Sequence, residues 1–194
     1  HRTYAAQPGD TIVVHAAAGG MGLILCQWGK AIGANIVGTV STPEKAEVAR
    51  AAGCDHPVVR SQEDFLAKVR DVTDGEGAAV VYEAIGKDTL QQSLDCLRLM
   101  GVCAAYGHVS GPPDPVDIIQ DLGRRGSLFI TRPAIMHYVA KRSDLEWTAR
   151  DLFKAIGDGV LDANINSEYP LKDAVAAHQA IESGTTLGAT VLLP

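Results

Sequence analysis

The chain has 194 residues, 46% hydrophobic and 21% charged, with a formal net charge of -6. That is an ordinary globular composition, long enough for one well-buried α/β domain with a small appendage. The acidic balance argues against nucleic acid or an anionic membrane as main partner, and no apolar run approaches the ~18 residues of a membrane span.

Strands and helices alternate along the chain. Thr11 to His15 reads as a first strand and Gly20 to Ile32 as a first helix. Asn35 to Val40 is a second strand. Thr42-Pro43-Glu44 then opens a helix, because Thr caps, Pro suits the first turn and Glu favours the positive end. Gly53 closes it in the left-handed conformation. Pro57 to Val59, Ala79 to Glu83 and Val102 to Tyr106 are the next strands, separated by helices over 62–72 and 89–99. After the loop Gly111-Pro112-Pro113 come a helix over 116–122, a sixth strand Ser127 to Thr131 and an amphipathic helix over 144–157. Ile165 to Tyr169, a helix over 172–183 and Ala189 to Leu193 form a separate β-α-β tail. Apolar strands alternating with helices predict a doubly wound, parallel, six-stranded sheet of the Rossmann type. The boundaries are 1–160 for the nucleotide-binding domain and 161–194 for the tail.

The stretch between the first strand and first helix, Ala17-Ala18-Gly19-Gly20-Met21-Gly22, organises the rest. Strand, glycine turn and helix are the order a dinucleotide-binding unit requires: the chain reverses, its backbone approaches a pyrophosphate, and the helix packs on the strand. Alanine stands at position 17 where the common fingerprint has its first glycine. At the end of the second strand, Val40-Ser41-Thr42 lacks the acid that accepts the ribose hydroxyls of NAD. Ser41 and Lys45 instead offer a hydroxyl and a cation to a 2′-phosphate, and Arg60 after the third strand offers a second cation. The alternative is that both cations are solvated surface groups. Cys26, Cys54, Cys96 and Cys103 lie far apart with no C-x-x-C pair, which reads as reduced buried thiols in the cytoplasm and no metal site.

The string His15 to Leu23 with Cys26-Gln27-Trp28 resembles the zeta-crystallin-like quinone oxidoreductases of the zinc-independent medium-chain dehydrogenase/reductase superfamily. Val81-Tyr82-Glu83, Ser93-Leu94-Asp95-Cys96-Leu97, Thr131-Arg132-Pro133 and Tyr169-Pro170-Leu171 carry the likeness along the whole chain. The resemblance implies a Rossmann domain that partners a GroES-like catalytic domain. The tail would belong to that domain, which is otherwise missing from these residues. It implies NADPH as cofactor, with Ala18, Gly19, Gly20, Met21 and Gly22 at the pyrophosphate and Ser41 and Lys45 at the 2′-phosphate. Tyr106-Gly107-His108-Val109 and Thr131-Arg132-Pro133 match its nicotinamide-half contacts. Arg60 stands where tyrosine is common, and Gly184 where relatives often carry arginine. Relatives dimerise through the sixth strand, so a homodimer through Leu128–Ile130 is expected.

His108 is either a nicotinamide-ribose contact or a solvated loop residue; Arg132 either steers the nicotinamide or pairs with an acidic neighbour. His15 reads better as a packed core histidine, Tyr106 as a cleft wall, and Cys26 as an inert thiol. No catalytic residue is assigned. The function these readings imply is metal-independent transfer of reducing equivalents from NADPH to a quinone. The rivals are an NADPH-dependent enoyl or alkenal reductase of the same superfamily and a non-catalytic NADPH-binding module. The chain opens on His1 rather than Met, as expected for the latter part of a longer polypeptide, and is expected to be inactive without its catalytic domain.

Overall fold

The computed structural model describes residues 2–163 and 165–194. Its strands are β1 (Thr11–Val14), β2 (Asn35–Val40), β3 (His56–Val59), β4 (Ala78–Glu83), β5 (Leu97–Ala105) and β6 (Phe129–Thr131). All neighbours pair parallel, in the order β3-β2-β1-β4-β5-β6. The intervening helices are α1 (Gly20–Ile32), α2 (Pro43–Ala51), α3 (Phe65–Val72) and α4 (Leu90–Asp95). Successive side chains of a strand point to opposite faces, so β1 feeds two cores. Ile12 and Val14 pack with Cys26, Ile36, Ala46 and Ala49 on the α1 and α2 side. Val13 packs with Val37, Phe65, Val69, Leu90 and Leu94 on the α3 and α4 side. Helices cover both faces, as the apolar strands require.

The caps follow the sequence. Thr42 Oγ1 accepts from Lys45 N at 3.3 Å, Pro43 opens α2, and Gly53 holds a φ of +99°. The expected helix over 89–99 is shorter: it ends at Asp95, and Leu97 already begins β5. The β4–β5 pairing jumps from Ala78↔Leu97 to Val80↔Val102, so an irregularity absorbs Arg98 to Gly101. The stretch expected as a helix over 116–122 is a π-type turn, Ile118–Gly123, running into α5 (Arg124–Gly126). Strand β6 begins at Phe129 rather than Ser127, because Ser127 is left-handed (φ 56°) and Leu128 turns into the core. The sheet edge is therefore Phe129–Thr131, and Leu128 is no part of an exposed edge.

Helices α6 (Ile135–Tyr138) and α7 (Arg142–Gly157) follow. The tail is β7 (Ile165–Pro170), a 3-10 turn, α8 (Ala174–Glu182) and β8 (Ala189–Leu193), with β7 and β8 paired parallel in their own sheet. It is tied to the glycine turn after β1: Gly188 bridges Gly19, and its amide donates to the Ala18 carbonyl at 2.9 Å. No helix among the described residues is long and apolar enough to cross a membrane.

Candidate functional site

Strand order reverses between β1 and β4, and a parallel sheet opens a crevice at the carboxyl ends of its strands there. The glycine turn lies at that point. Gly22 is fixed by packing: a Cβ on it would stand 2.2 Å from the Ala16 carbonyl oxygen and 2.7 Å from Ala17 Cα, so only glycine lets α1 sit against the turn. Gly19 caps α1 without a side chain, and no acidic residue stands in the first turn. The 13-residue helix thus opens with no carboxylate at its positive dipole end, a setting that fits a pyrophosphate.

The other sequence-derived residues come to the same edge of the sheet. Ser41 follows β2, and Lys45 sits in the first turn of α2. Lys45 Nζ donates to the Gly184 carbonyl at 2.5 Å, so the tail reaches the cation read as a phosphate ligand. Arg60 follows β3, its amide donating to the Val40 carbonyl at 3.1 Å. Its side chain, with Phe65, Asp88, Thr89 and Gln92, lines a cleft of about 420 Å³. After β5, the Tyr106 and Gly107 amides both donate to the Glu83 carbonyl, at 3.0 and 3.1 Å. Burial, with Glu83 nearby, raises the Tyr106 pKa to about 12, so its hydroxyl keeps its proton at neutral pH. Thr131 ends β6 and Pro133 follows. Arg132 Nη1 donates to the Ala105 carbonyl at 3.1 Å and to the Tyr106 carbonyl, and Nη2 lies 3.4 Å from His108 Nδ1. Among the described contacts Arg132 therefore meets main-chain carbonyls and His108 rather than the acidic neighbour expected as its alternative partner. Val109 is 84% exposed and directs its side chain outward.

The sequence reading missed Glu83. Its side chain is fully buried, as is that of His15. One carboxylate oxygen accepts from the amides of Ile85 (2.6 Å) and Gly86 (3.0 Å); Thr89 Oγ1 lies 2.9 Å from both oxygens, and Ser93 Oγ donates to the other. Burial alone would raise its pKa, but His15 and the donors from Ser93, Gly86 and Ile85 outweigh that and hold it below the ordinary carboxylate range. Burial, with Arg60 adding repulsion, lowers the His15 pKa against the pull of Glu83 and keeps the ring neutral. His15 Nδ1 is 2.8 Å from Thr39 Oγ1, and Nε2 is 2.9 Å from Ser93 Oγ and 3.5 Å from Glu83 Oε2. His15 is thus the hydrogen-bonded core histidine anticipated. The signal available in sequence was a lone acid ending an apolar strand, with Thr89 and Ser93 four apart on the next helix.

Fold, glycine turn and crevice define a dinucleotide-binding unit of the Rossmann class. Residues 20–153 match the model of the zinc-binding dehydrogenase family, and the chain belongs to that family. The whole chain is 52% identical to a 2-haloacrylate reductase of Burkholderia sp and 40% identical to quinone oxidoreductase 1 of Escherichia coli (strain K12). It spans 58% and 59% of their lengths. The crystal structure of Escherichia coli quinone oxidoreductase complexed with NADPH superposes with a TM-score of 0.94 at 39% identity, covering all of this chain and 60% of that one. The likeness to quinone oxidoreductases read from the sequence therefore holds from one end of the chain to the other.

Proposed function

We propose that this chain is the NADPH-binding portion of a metal-independent oxidoreductase that passes reducing equivalents to a quinone. The observation that carries the reading is an acid-free glycine turn at the strand-order reversal, with Ser41 and Lys45 beyond a second strand that ends without a carboxylate. The relative solved with NADPH supports the same cofactor. When bound, the dinucleotide supplies the hydride. The α1 amides hold its pyrophosphate, and Ser41, Lys45 and Arg60 face its 2′-phosphate. The cleft beside Arg60 has the volume for the adenine end, since ligand pockets start near ~300 Å³. The loop 106–109, pinned by Arg132, together with 131–133, meets the nicotinamide half. Residues 1–160 form the nucleotide domain, and 161–194 return to a further domain that completes the acceptor pocket; the additional length of the relatives supports this. Metal independence is carried by the resemblance to the zinc-independent quinone oxidoreductases read from the sequence. Reduced thiols also support a cytoplasmic setting. The exposed β6 edge supports a homodimer.

The test is a fluorescence titration of the chain with NADPH and NADH, repeated on Lys45→Ala. NADPH binding at least about tenfold tighter (about 1.4 kcal/mol), with the gap shrinking in the variant, is the expected result. Equal binding of the two dinucleotides removes the Ser41/Lys45 assignment. A second reading, reduction of an activated carbon–carbon double bond, is favoured by the 52% identity to a 2-haloacrylate reductase. NADPH oxidation by the full-length protein with quinones and with 2-haloacrylates separates the two.

A further inference from the structure

The buried polar group at the ends of β1 and β4 touches every loop of the crevice that lies near the strand-order reversal. The Glu83 carboxylate holds the Ile85 and Gly86 amides of the loop after β4. Its main-chain carbonyl holds the Tyr106 and Gly107 amides of the loop after β5. Through Ser93 it reaches His15, the residue that leads from β1 into the glycine turn, and through His15 it reaches Thr39 on β2. Thr39 in turn accepts the Ala17 amide of that turn on its carbonyl, at 3.0 Å.

The proton order in this chain follows from the donors. The Ser93 hydroxyl has one hydrogen, and it goes to the carboxylate. Its oxygen is then an acceptor toward His15, so Nε2 carries the imidazole proton and Nδ1 accepts from the Thr39 hydroxyl. A carboxylate is the one acceptor-only group that can receive the Ile85, Gly86, Thr89 and Ser93 donors together. Burial of such a group is costly unless every lone pair is occupied, which makes the loops around it rigid rather than merely adjacent.

We propose that Glu83 is a positioning residue for the nucleotide: acting through Ser93, His15 and the backbone amides it binds, it sets the loops after β1, β4 and β5 at the spacing the dinucleotide requires. The inference rests on the nucleotide reading above. Glu83 touches no 2′-phosphate ligand, so its contribution is common to NADPH and NADH, in contrast to that of Lys45.

Glu83→Gln tests this with nearly unchanged shape. The amide oxygen stays on the loop amides and the NH2 faces Ser93, which must now accept from it and donate to His15 Nε2. The expected result is that NADPH and NADH both bind about tenfold more weakly, the scale of one hydrogen bond to a charged group, with their ratio unchanged. Nitrogen-15 NMR is expected to show the His15 proton moving from Nε2 to Nδ1. Should Glu83→Gln not fold, Ser93→Ala, which removes one donor to Glu83 and with it the link to His15 while leaving the Ile85, Gly86 and Thr89 donors in place, is expected to weaken both dinucleotides by a common factor of several-fold. Wild-type affinities in the folded variant, or a loss confined to NADPH, overturn the proposal while leaving the nucleotide reading in place. A wild-type chain that binds neither dinucleotide overturns that reading and this proposal with it.

Discussion

Replacing Gly22 by alanine sets helix propensity against packing. Alanine is favoured over glycine inside a helix by about 1 kcal/mol. The added methyl, however, would stand 2.2 Å from the Ala16 carbonyl oxygen and 2.7 Å from the Ala17 carbonyl carbon and Cα. These are backbone atoms, which no rotamer change can move aside, so the start of α1 must lift by about 1 Å to restore ordinary contact distances. Overpacking costs about 1–3 kcal/mol, and a backbone clash belongs at the upper end. The balance is a net loss of about 2 kcal/mol, or a melting temperature lower by about 4–8 °C for a chain of this size. Gly20→Ala is the control two residues earlier, where the methyl would meet the Gly188 carbonyl oxygen at an unstrained 3.5 Å. Circular dichroism melts of wild type and both variants make the comparison. A Gly22→Ala chain that melts at or above wild type would refute the claim that packing of α1 on the turn fixes this residue.

Stability is expected to fall toward acid in two stages. Burial keeps His15 neutral in the fold, with its pKa below the ordinary 6.5, so its contribution is complete above pH 6.5 and is lost as the pH falls from there toward the folded value. Glu83 is held below its ordinary 4.5, so its contribution is present above that pH and is lost on falling through the folded value. Urea midpoints should therefore decline from about pH 6.5 downward, and His15→Gln should flatten the upper stage; a wild-type midpoint constant down to about pH 5 contradicts this. At the sheet edge, Phe129 is 60% exposed on β6. Phe129→Asp should turn the proposed dimer into a monomer by light scattering at tens of micromolar, and a wild type already monomeric there removes the dimer.

Most strands were legible because each is an unbroken apolar run bounded by turn residues, and a chain buried on both faces leaves little ambiguity of register. The glycine turn was legible because its context was. Leu97 to Met100 misled: Leu and Met favour helix, yet pairing with β4 draws Leu97 into the sheet and leaves Leu99 and Met100 72% and 67% exposed. The expected helix over 116–122 failed for a related reason, as Asp117 caps it by accepting from the Ile119 and Gln120 amides while its bonding pattern runs wider than α. Candidate residues such as Ser41, Arg60 and Tyr106 could be set on loops directly after strands by counting from the strand ends. Glu83 could not be valued that way, because His15, and through it Thr39, come from other strands and only the assembled sheet brings them to the carboxylate.

The contact between Gly188 and the glycine turn has a kinetic consequence. It joins Ala18 and Gly19 near the start of the chain to a residue near its end, and such distant closures form after the local βα units because the entropy of the intervening loop must be overcome first. On the ribosome the six-stranded sheet can therefore assemble with the rim beside α1 still open, and that rim is completed only once the tail has emerged. The glycine turn directly follows β1, but the wall beside it is supplied by the segment just before β8.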